Sequence, residues 1–84
     1  MRTLIIVPTH NEAANVARVI ERIRDAVPSA DVMVIDDMST DETRAIVREL
    51  ARDDEHVRLE PRDVRRGLGD AYLHAFAIGL DEGY

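Results

Sequence analysis

The sequence predicts an α/β fold in which three successive β-α units build a parallel sheet. Short apolar runs alternate with amphipathic stretches along all 84 residues, in the order strand, helix, strand, helix, strand, helix. The apolar run at residues 32–35 is continuous, as is typical of a parallel strand covered on both faces. Because parallel crossovers are right-handed, three such units predict half of a doubly wound sheet.

The first unit combines a strand at residues 3–7 with a helix at residues 11–27. Apolar residues at helical spacing give this helix one buried face: Val16, Ile20, Ile23 and Val27. Pro8 ends the strand, and Thr9 and Glu12 have the spacing of a capping box at the helix start. The same turn places a hydroxyl, the imidazole of His10, an amide and a carboxylate at a strand end, which is typical of a small-molecule contact surface. Both interpretations of the turn are open.

The second unit runs from a strand at residues 31–35 into Asp36 and Asp37, and a helix follows. Ser39 and Glu42 repeat the capping-box spacing. The helix carries one apolar face: Ile46, Val47, Leu50 and Ala51. Ligands of open parallel sheets lie outside the carboxyl ends of the strands, so we expect these two polar strand ends to share one site.

Asp36 and Asp37 are expected to have separate roles, because successive side chains on a strand point to opposite faces. Asp37 lies nearer the crevice. An ionised carboxylate only accepts hydrogen bonds, which suits it to the N–H edge of uracil or the two-donor edge of guanine. The structural alternative is that both carboxylates hold the loop or favour the positive start of the next helix, which requires no ligand.

The third unit has a short strand at residues 57–59, a basic loop at residues 61–66 and a helix from Gly67 onward. The helix is predicted to bury one stripe: Leu68, Ala71, Tyr72, Ala75, Phe76 and Leu80. Gly83 is its predicted C′ cap. Arginines before a glycine-rich helix start favour an anion such as a pyrophosphate, and the candidates are Arg65, Arg66, Gly67 and Gly69. The alternative is a solvated arginine loop.

The composition excludes several classes of protein. The net charge of −6 argues against nucleic acid as a partner. The absence of cysteine excludes a disulfide framework or a thiolate metal site, and the absence of lysine excludes a phosphate loop of the Walker type. No apolar run approaches the roughly 20 residues that span a bilayer, and we expect residues 1–3 to lead into the first strand rather than to belong to a signal peptide. We expect a cytoplasmic location.

Three motifs together resemble the family 2 glycosyltransferases, and within them the polyprenol (dolichyl) phosphate mannose synthases. Residues 8–12 read Pro-Thr-His-Asn-Glu where that family has Pro-Thr-Tyr-Asn-Glu. Residues 36–43 read Asp-Asp-Met-Ser-Thr-Asp-Glu-Thr, close to the family's Asp-Asp-Gly-Ser-Pro-Asp-Gly-Thr. Residues 66–72 follow its basic Gly-Leu-Gly-x-Ala-Tyr segment. His10, Met38 and Glu42 are departures from the pattern.

The resemblance implies a Rossmann-like, nucleotide-binding half of a GT-A glycosyltransferase fold, and transfer of mannose from GDP-mannose to dolichyl or polyprenyl phosphate at the cytoplasmic face of a membrane. It implies nucleotide contacts from two turns, with Asp37 on the base: Pro8, Thr9, His10, Glu12, Asp36 and Asp37. Arg65, Arg66, Gly67 and Gly69 would lie near the phosphates.

Family members deliver an Asp-x-Asp motif on the next strand, where it binds a divalent metal, Mg²⁺ or Mn²⁺, and the sugar diphosphate. We therefore expect residues 1–84 to be a partial nucleotide-sugar-binding domain that stops before this strand, binds no metal alone and is not catalytic alone. A complementing C-terminal half or self-association would cover the unpaired sheet edge and the apolar face of the third helix.

Two alternatives remain open within this interpretation. The first is a family 2 transferase that uses a UDP-sugar, since an aspartate accepts from either base. The second is a non-catalytic nucleotide-binding half, or one subunit of a split enzyme. A phosphorylatable receiver domain is disfavoured, because its acidic pair follows the first strand and it requires a lysine, which this sequence lacks.

Overall fold

The computed structural model describes residues 2–63 and 68–84 and has the predicted α/β class. Its elements alternate along the chain: β1 Leu4–Thr9, α1 Val16–Ala26, β2 Asp31–Asp37, α2 Thr43–Asp53, β3 Val57–Arg62 and α3 Leu68–Asp81. The three strands form one parallel sheet in the order β1-β2-β3, so β2 is central. In this part of the chain no helix combines the length and the apolar character needed to cross a membrane.

The two faces of the sheet are covered by different helices. Val32 and Val34 of β2 pack with the apolar sides of α1 and α2. Met33 and Ile35 point to the opposite face and pack against Ala71 and Ala75 of α3. All four β2 side chains are fully buried, and burial of each stabilises the fold by about 1.5–3 kcal/mol. Burial on both sides explains why this strand is a continuous apolar run.

The predicted capping boxes do not form. The helix predicted from residue 11 begins at Val16, and Thr9 belongs to β1. The residues before α1 and α2, Asn15 and Glu42, make no side-chain capping bond. The Thr9 and Ser39 hydroxyls instead donate to Asp36. The capping boxes fail because both helices begin later than the pattern predicts, which leaves Thr9 and Ser39 beside a buried carboxylate rather than at a helix start.

All three strands run further than predicted, and β3 extends from residue 57 to Arg62. This range includes Pro61, which has no N–H to donate. Because β3 lies at the edge of the described sheet, the missing donor leaves no neighbouring strand unpaired. The longer strands carry Thr9, Asp37 and Arg62 into regular sheet geometry.

The predicted buried stripe of α3 is partly wrong. Ala71 and Ala75 are buried, but Phe76 and Leu80 are 54% and 74% exposed, and Leu73 is 68% exposed. The helix packs through its small residues, which permit close approach to Met33 and Ile35, and its larger side chains lie outside. The side chain of Leu68 is outside the described residues, and Tyr72 is half-buried.

Gly83 caps α3 as predicted. Its φ of 90° is in the left-handed region that favours glycine. The Gly83 N–H donates to the Leu80 carbonyl at 3.2 Å, and the Tyr84 N–H donates to the Gly79 carbonyl at 3.0 Å. These two bonds are the pair that defines a Schellman motif.

Candidate functional site

Polar side chains of all three strands meet at the carboxyl end of the sheet. Thr9 of β1 is the register partner of Asp36, and Asp37 is the register partner of Arg62. Because side chains alternate along a strand, Thr9 and Asp36 lie on the α1/α2 face, with Val32 and Val34. Asp37 and Arg62 lie on the α3 face. The predicted shared strand end is therefore present, but its residues divide between two faces.

The turns after β1 and β2 are joined by a hydrogen-bond network. The backbone N–H groups of Asn11, Glu12 and Ala13 donate to Ser39 Oγ, Thr43 Oγ1 and Asp41 Oδ2, at 2.8, 2.9 and 3.2 Å. In return, Asn11 Oδ1 accepts from the backbone N–H of Thr40 at 2.8 Å. Each bond links residues about a third of the chain apart, so the network fixes one turn against the other without a ligand.

Asp36 is at the centre of this network and is fully buried. Its Oδ1 accepts from the hydroxyls of Thr9 at 2.6 Å and Ser39 at 2.5 Å. Its Oδ2 accepts from the Ser39 N–H at 3.1 Å and from Arg44 Nε at 2.6 Å. Four donors occupy the roughly four acceptor positions of a carboxylate. Asp36 therefore fits the alternative in which the carboxylate holds the loop and needs no ligand.

The same contacts set the charge of Asp36. Burial disfavours the ionised form, but the hydrogen bonds from Ser39, Thr9 and Arg44 outweigh it and hold the pKa of Asp36 below its usual value. The hydrogen bond to Asp36 likewise raises the pKa of Arg44. The pair is therefore ionised across the physiological range.

Arg44 is a site residue that sequence reasoning missed. Besides Asp36, it donates from Nη2 to the Arg62 carbonyl at 2.8 Å and from Nη1 to Asp63 at 3.1 Å. It thereby joins the end of β2 to the end of β3. The available sequence signal was an arginine in the first turn of α2, five residues after Ser39.

Two residues of the turns have left-handed backbones, Asn11 with φ of 53° and Met38 with φ of 54°. Asparagine tolerates this region, whereas an unbranched apolar residue is strained there. Met38 occupies the position where the resembled family carries glycine, so its backbone keeps the conformation that a glycine would favour.

The His10 side chain is hydrogen-bonded to the end of β2, next to the side chain of Asp37. Its Nδ1 lies 2.6 Å from the backbone carbonyl oxygen of Asp37. Because a carbonyl oxygen only accepts, Nδ1 carries the hydrogen. The imidazole that replaces the family tyrosine therefore fixes the backbone next to the Asp37 carboxylate.

Asp37 and Arg62 each have a buried polar atom that lacks a hydrogen-bond partner. Asp37 is 9% exposed, and the Arg62 side chain is 10% exposed. Across residues 2–63 and 68–84, Asp37 Oδ1 and Arg62 Nη1 are the two such atoms. Arg62 Nη2 is engaged by Asp70 of α3. Leaving a buried polar atom unpaired costs about 1–3 kcal/mol, so both atoms are candidate contacts for a polar ligand.

The other predicted residues lie around this surface. Pro8 is half-buried and lies on the same face of β1 as Leu4 and Ile6, which pack on the α3 side of the sheet. The Glu12 carbonyl accepts from the Asn15 and Val16 N–H groups and so starts α1, although Glu12 itself is exposed. Gly69 is in the first turn of α3, and an added Cβ there would meet no atom within 4 Å. Arg65, Arg66 and Gly67 lie outside the described residues.

The acidic pair is unsuited to hold a divalent metal. Asp36 and Asp37 lie on opposite faces, and the oxygens of Asp36 are already occupied. Among the described residues, no group of three or more histidine, aspartate and glutamate side chains is arranged around a possible metal position.

Two clefts of about 330 Å³ lie elsewhere on the protein. One is beside the ion pair of Arg24 with Asp54, and the other lies at the amino ends of the strands. In the second, Asp31 pairs with His56 and Arg58 with Glu82, at 2.9 and 2.5 Å. Since these charges are partnered within the protein, the strand end is the better candidate for a ligand site.

Comparison with known proteins identifies the family that the chain resembles. The model of the family described as glycosyl transferase family 2 matches residues 4–81. An undecaprenyl-phosphate mannosyltransferase of Micrococcus luteus is 43% identical over 84 residues, which is 100% of this chain and 35% of that protein. A polyprenol monophosphomannose synthase of Mycolicibacterium smegmatis is also 43% identical, over 99% of this chain and 32% of that protein.

A solved structure shares the fold. It is a mannosyltransferase from Pyrobaculum calidifontis in complex with GDP-mannose and Mn²⁺, with a TM-score of 0.79 and 31% identity. The match covers 90% of this chain and 24% of the other. The chain thus spans about a third of the length of the two curated relatives and about a quarter of the structural one.

Proposed function

Because this chain belongs to glycosyl transferase family 2, we propose that it binds the nucleotide of a nucleotide sugar, GDP-mannose, at the carboxyl end of its sheet. The observation that carries this proposal is the buried Asp37 Oδ1 atom without a partner. In the same proposal, the whole enzyme transfers mannose from that donor to a polyprenyl phosphate.

Asp37 is the proposed contact with the base. A nucleobase edge with N–H donors gives its carboxylate the hydrogen bonds that the protein leaves unmade. His10 supports this contact by holding the Asp37 backbone carbonyl at 2.6 Å. Pro8 lies on the same face of the sheet as Asp37, and Arg65, Arg66, Gly67 and Gly69 are the proposed neighbours of the diphosphate.

Asp36 and Thr9 are proposed to act by position, because their polar atoms already pair with each other at 2.6 Å. Together with Arg44 they hold the ends of β1, β2 and β3 in a fixed relation. A site organised in advance loses little conformational entropy when the ligand binds. Glu12 contributes through its backbone, which connects the same turn to Thr43 at 2.9 Å.

In the proposed reaction an oxygen of the lipid phosphate attacks the anomeric carbon of mannose. A new carbon–oxygen bond forms as the bond to the diphosphate breaks, and GDP leaves with both electrons of that bond. Divalent metal neutralises such a leaving group in this type of chemistry. The described residues do not fit a metal, so the chain alone is proposed to bind the nucleotide without turnover.

A second candidate is a nucleotide-binding subunit completed by a separate polypeptide. It is favoured by the exposed apolar residues of α3, Leu73, Phe76 and Leu80. Monomeric proteins rarely leave a contiguous apolar patch uncovered. Both candidate functions require the same nucleotide site, so one nucleotide-binding experiment tests that site for both.

The experiment is calorimetric titration of the folded chain with GDP and with UDP, each with and without Mn²⁺. Asp37→Asn keeps the size of the side chain but replaces an acceptor with a donor, and we expect it to weaken nucleotide binding at least about tenfold. Asp53→Asn, at an exposed position near the end of α2, is the matched control and should bind like the wild type. Absence of nucleotide binding by the folded wild type would overturn the proposal.

A further inference from the structure

We propose that Arg62 determines base specificity, by donating a hydrogen bond from Nη1 to the O6 atom of guanine next to Asp37. This inference rests on the proposed function. The first observation is that Arg62 Nη1 and Asp37 Oδ1 are buried without partners, at register-paired positions of β3 and β2. Paired residues of neighbouring parallel strands project to the same face, about 4.8 Å apart along the sheet.

The local contacts keep Arg62 in place while leaving Nη1 available. Asp70, in the first turn of α3, engages Nη2. The Arg62 carbonyl accepts from the Met38 N–H at 3.1 Å and from Arg44 Nη2 at 2.8 Å. The guanidinium is a rigid planar fork, so fixing one nitrogen also directs the other. Its orientation is therefore set before a ligand arrives.

The mixed charge of the pair identifies the kind of group that it binds. A phosphate next to Arg62 would also lie next to the Asp37 carboxylate and be repelled by it. A neutral group with a donor and an acceptor side by side satisfies both residues. The hydrogen-bonding edge of a nucleobase has this arrangement and spans a few ångströms, comparable with the spacing between strands.

Guanine fits the pair better than uracil. Its edge presents two adjacent donors, N1–H and the 2-amino group, followed by the O6 acceptor. The Asp37 carboxylate accepts from the two donors and Arg62 donates to O6, which gives three charge-assisted bonds. Uracil has one donor between two acceptors, so one of its carbonyl oxygens would face the carboxylate. The proposed preference is therefore for a guanine nucleotide.

The experiment compares the affinities of GDP and 6-thio-GDP, in which a weakly accepting sulfur replaces O6 and both donors remain. We expect the wild type to prefer GDP about tenfold, as a charge-assisted hydrogen bond predicts. Arg62→Met should reduce this ratio to near one. Arg58→Met is the matched control, with the same substitution on the same strand and face but at the opposite end of the sheet, where Arg58 pairs with Glu82. It should keep the wild-type ratio.

The ratio of the affinities for GDP and 6-thio-GDP distinguishes a role of Arg62 in base recognition from a role in stabilising the fold. A purely structural role of Arg62 would weaken both ligands equally and leave the ratio unchanged. If Arg62→Met does not fold, Arg62→Lys is the second variant. Lysine has one nitrogen to pair with Asp70 and lacks the second planar nitrogen that arginine directs to O6, so the ratio should again fall. An unchanged ratio in the folded variant, or a wild type without preference, overturns this inference alone. Absence of GDP binding by the folded wild type overturns the proposed function itself.

Discussion

The Thr9 hydroxyl donates a hydrogen bond of 2.6 Å to the Asp36 carboxylate, across the β1/β2 register and 27 positions along the chain. This bond links the two motifs that carry the candidate site. Thr9 is the last residue of β1, so its side chain is held against Asp36 rather than at the start of α1, which begins at Val16. One buried carboxylate thus joins the end of β1 to the turn that follows β2.

Asp36→Asn is predicted to destabilise the fold by about 3 kcal/mol, because it leaves Arg44 with only the exposed Asp63 as a charge partner and turns an amide donor toward other donors. Thr9→Val should cost less, about 1 kcal/mol, since it removes one hydrogen bond. Urea unfolding followed by circular dichroism measures both changes. The exposed Asp53→Asn is the control and should remain within about 0.5 kcal/mol of the wild type. Equal effects of Asp36→Asn and the control would contradict the role of Asp36.

Stability is predicted to fall in acid, in part through Asp36. Its pKa is lowered in the folded state, since hydrogen bonds from Ser39, Thr9 and Arg44 outweigh burial, so the unfolded chain binds the proton more readily. The stabilisation is therefore complete above the unfolded pKa of about 3.9 and is lost as the pH falls through the folded pKa. The difference in unfolding free energy between wild type and Asp36→Asn should shrink from pH 6 to about pH 2. A constant difference across urea titrations in this range would be the contrary result.

Met38→Gly is predicted to stabilise the protein by about 0.5–1 kcal/mol, because the left-handed backbone at this position strains a residue with a Cβ. Met38 is exposed, so little packing is lost. Met38→Ala keeps the Cβ, so it serves as the control and should not gain stability. Thermal unfolding of the wild type and the two variants ranks their stabilities. An equal gain in Met38→Ala and Met38→Gly would show that the effect comes from loss of the long side chain and not from relief of backbone strain.

Gly69→Ala is predicted to separate stability from binding. Alanine favours a helix over glycine by about 0.5–1 kcal/mol, and its Cβ would meet no atom within 4 Å, so stability should rise slightly. Nucleotide affinity should fall if the ligand uses that open space. In Gly79→Ala the new Cβ would lie 3.0 Å from Leu4 Cδ2, so this contrast variant should show a smaller gain in stability. Unfolding and calorimetry on both variants test the pair of effects, and unchanged affinity in Gly69→Ala would remove Gly69 from the site.

The exposed face of α3 is predicted to cause self-association. Leu73, Phe76 and Leu80 recur at helical spacing on its outer side. Replacing all three by glutamine should lower the average mass in sedimentation equilibrium and change the unfolding free energy little. Val19→Gln, at an exposed apolar position of α1, is the control and should leave association unchanged. A wild type that is monomeric at high concentration would contradict this prediction.

Local patterns determined the class and order of the elements. The continuous apolar run of β2 and the amphipathic stretches on either side are properties of short segments, so they could be recognised from the sequence. The Schellman cap at Gly83 is equally local, because both of its bonds lie within residues 79–84. The position of Asp37 at a strand end also followed from the sequence, since parallel strands present their carboxyl ends at one edge.

The sequence by itself determined the three β-α units, the polar strand ends and the carboxylate expected to meet a ligand. Tertiary structure decided which polar atoms remained available: Asp36 is occupied by Thr9, Ser39 and Arg44, whereas Asp37 Oδ1 and Arg62 Nη1 are left without partners. It also decided that α3 packs through its alanines rather than through Phe76 and Leu80. The physical reason is that periodicity reflects neighbours along one element, while hydrogen-bond partners and close packing depend on residues brought together from distant parts of the chain.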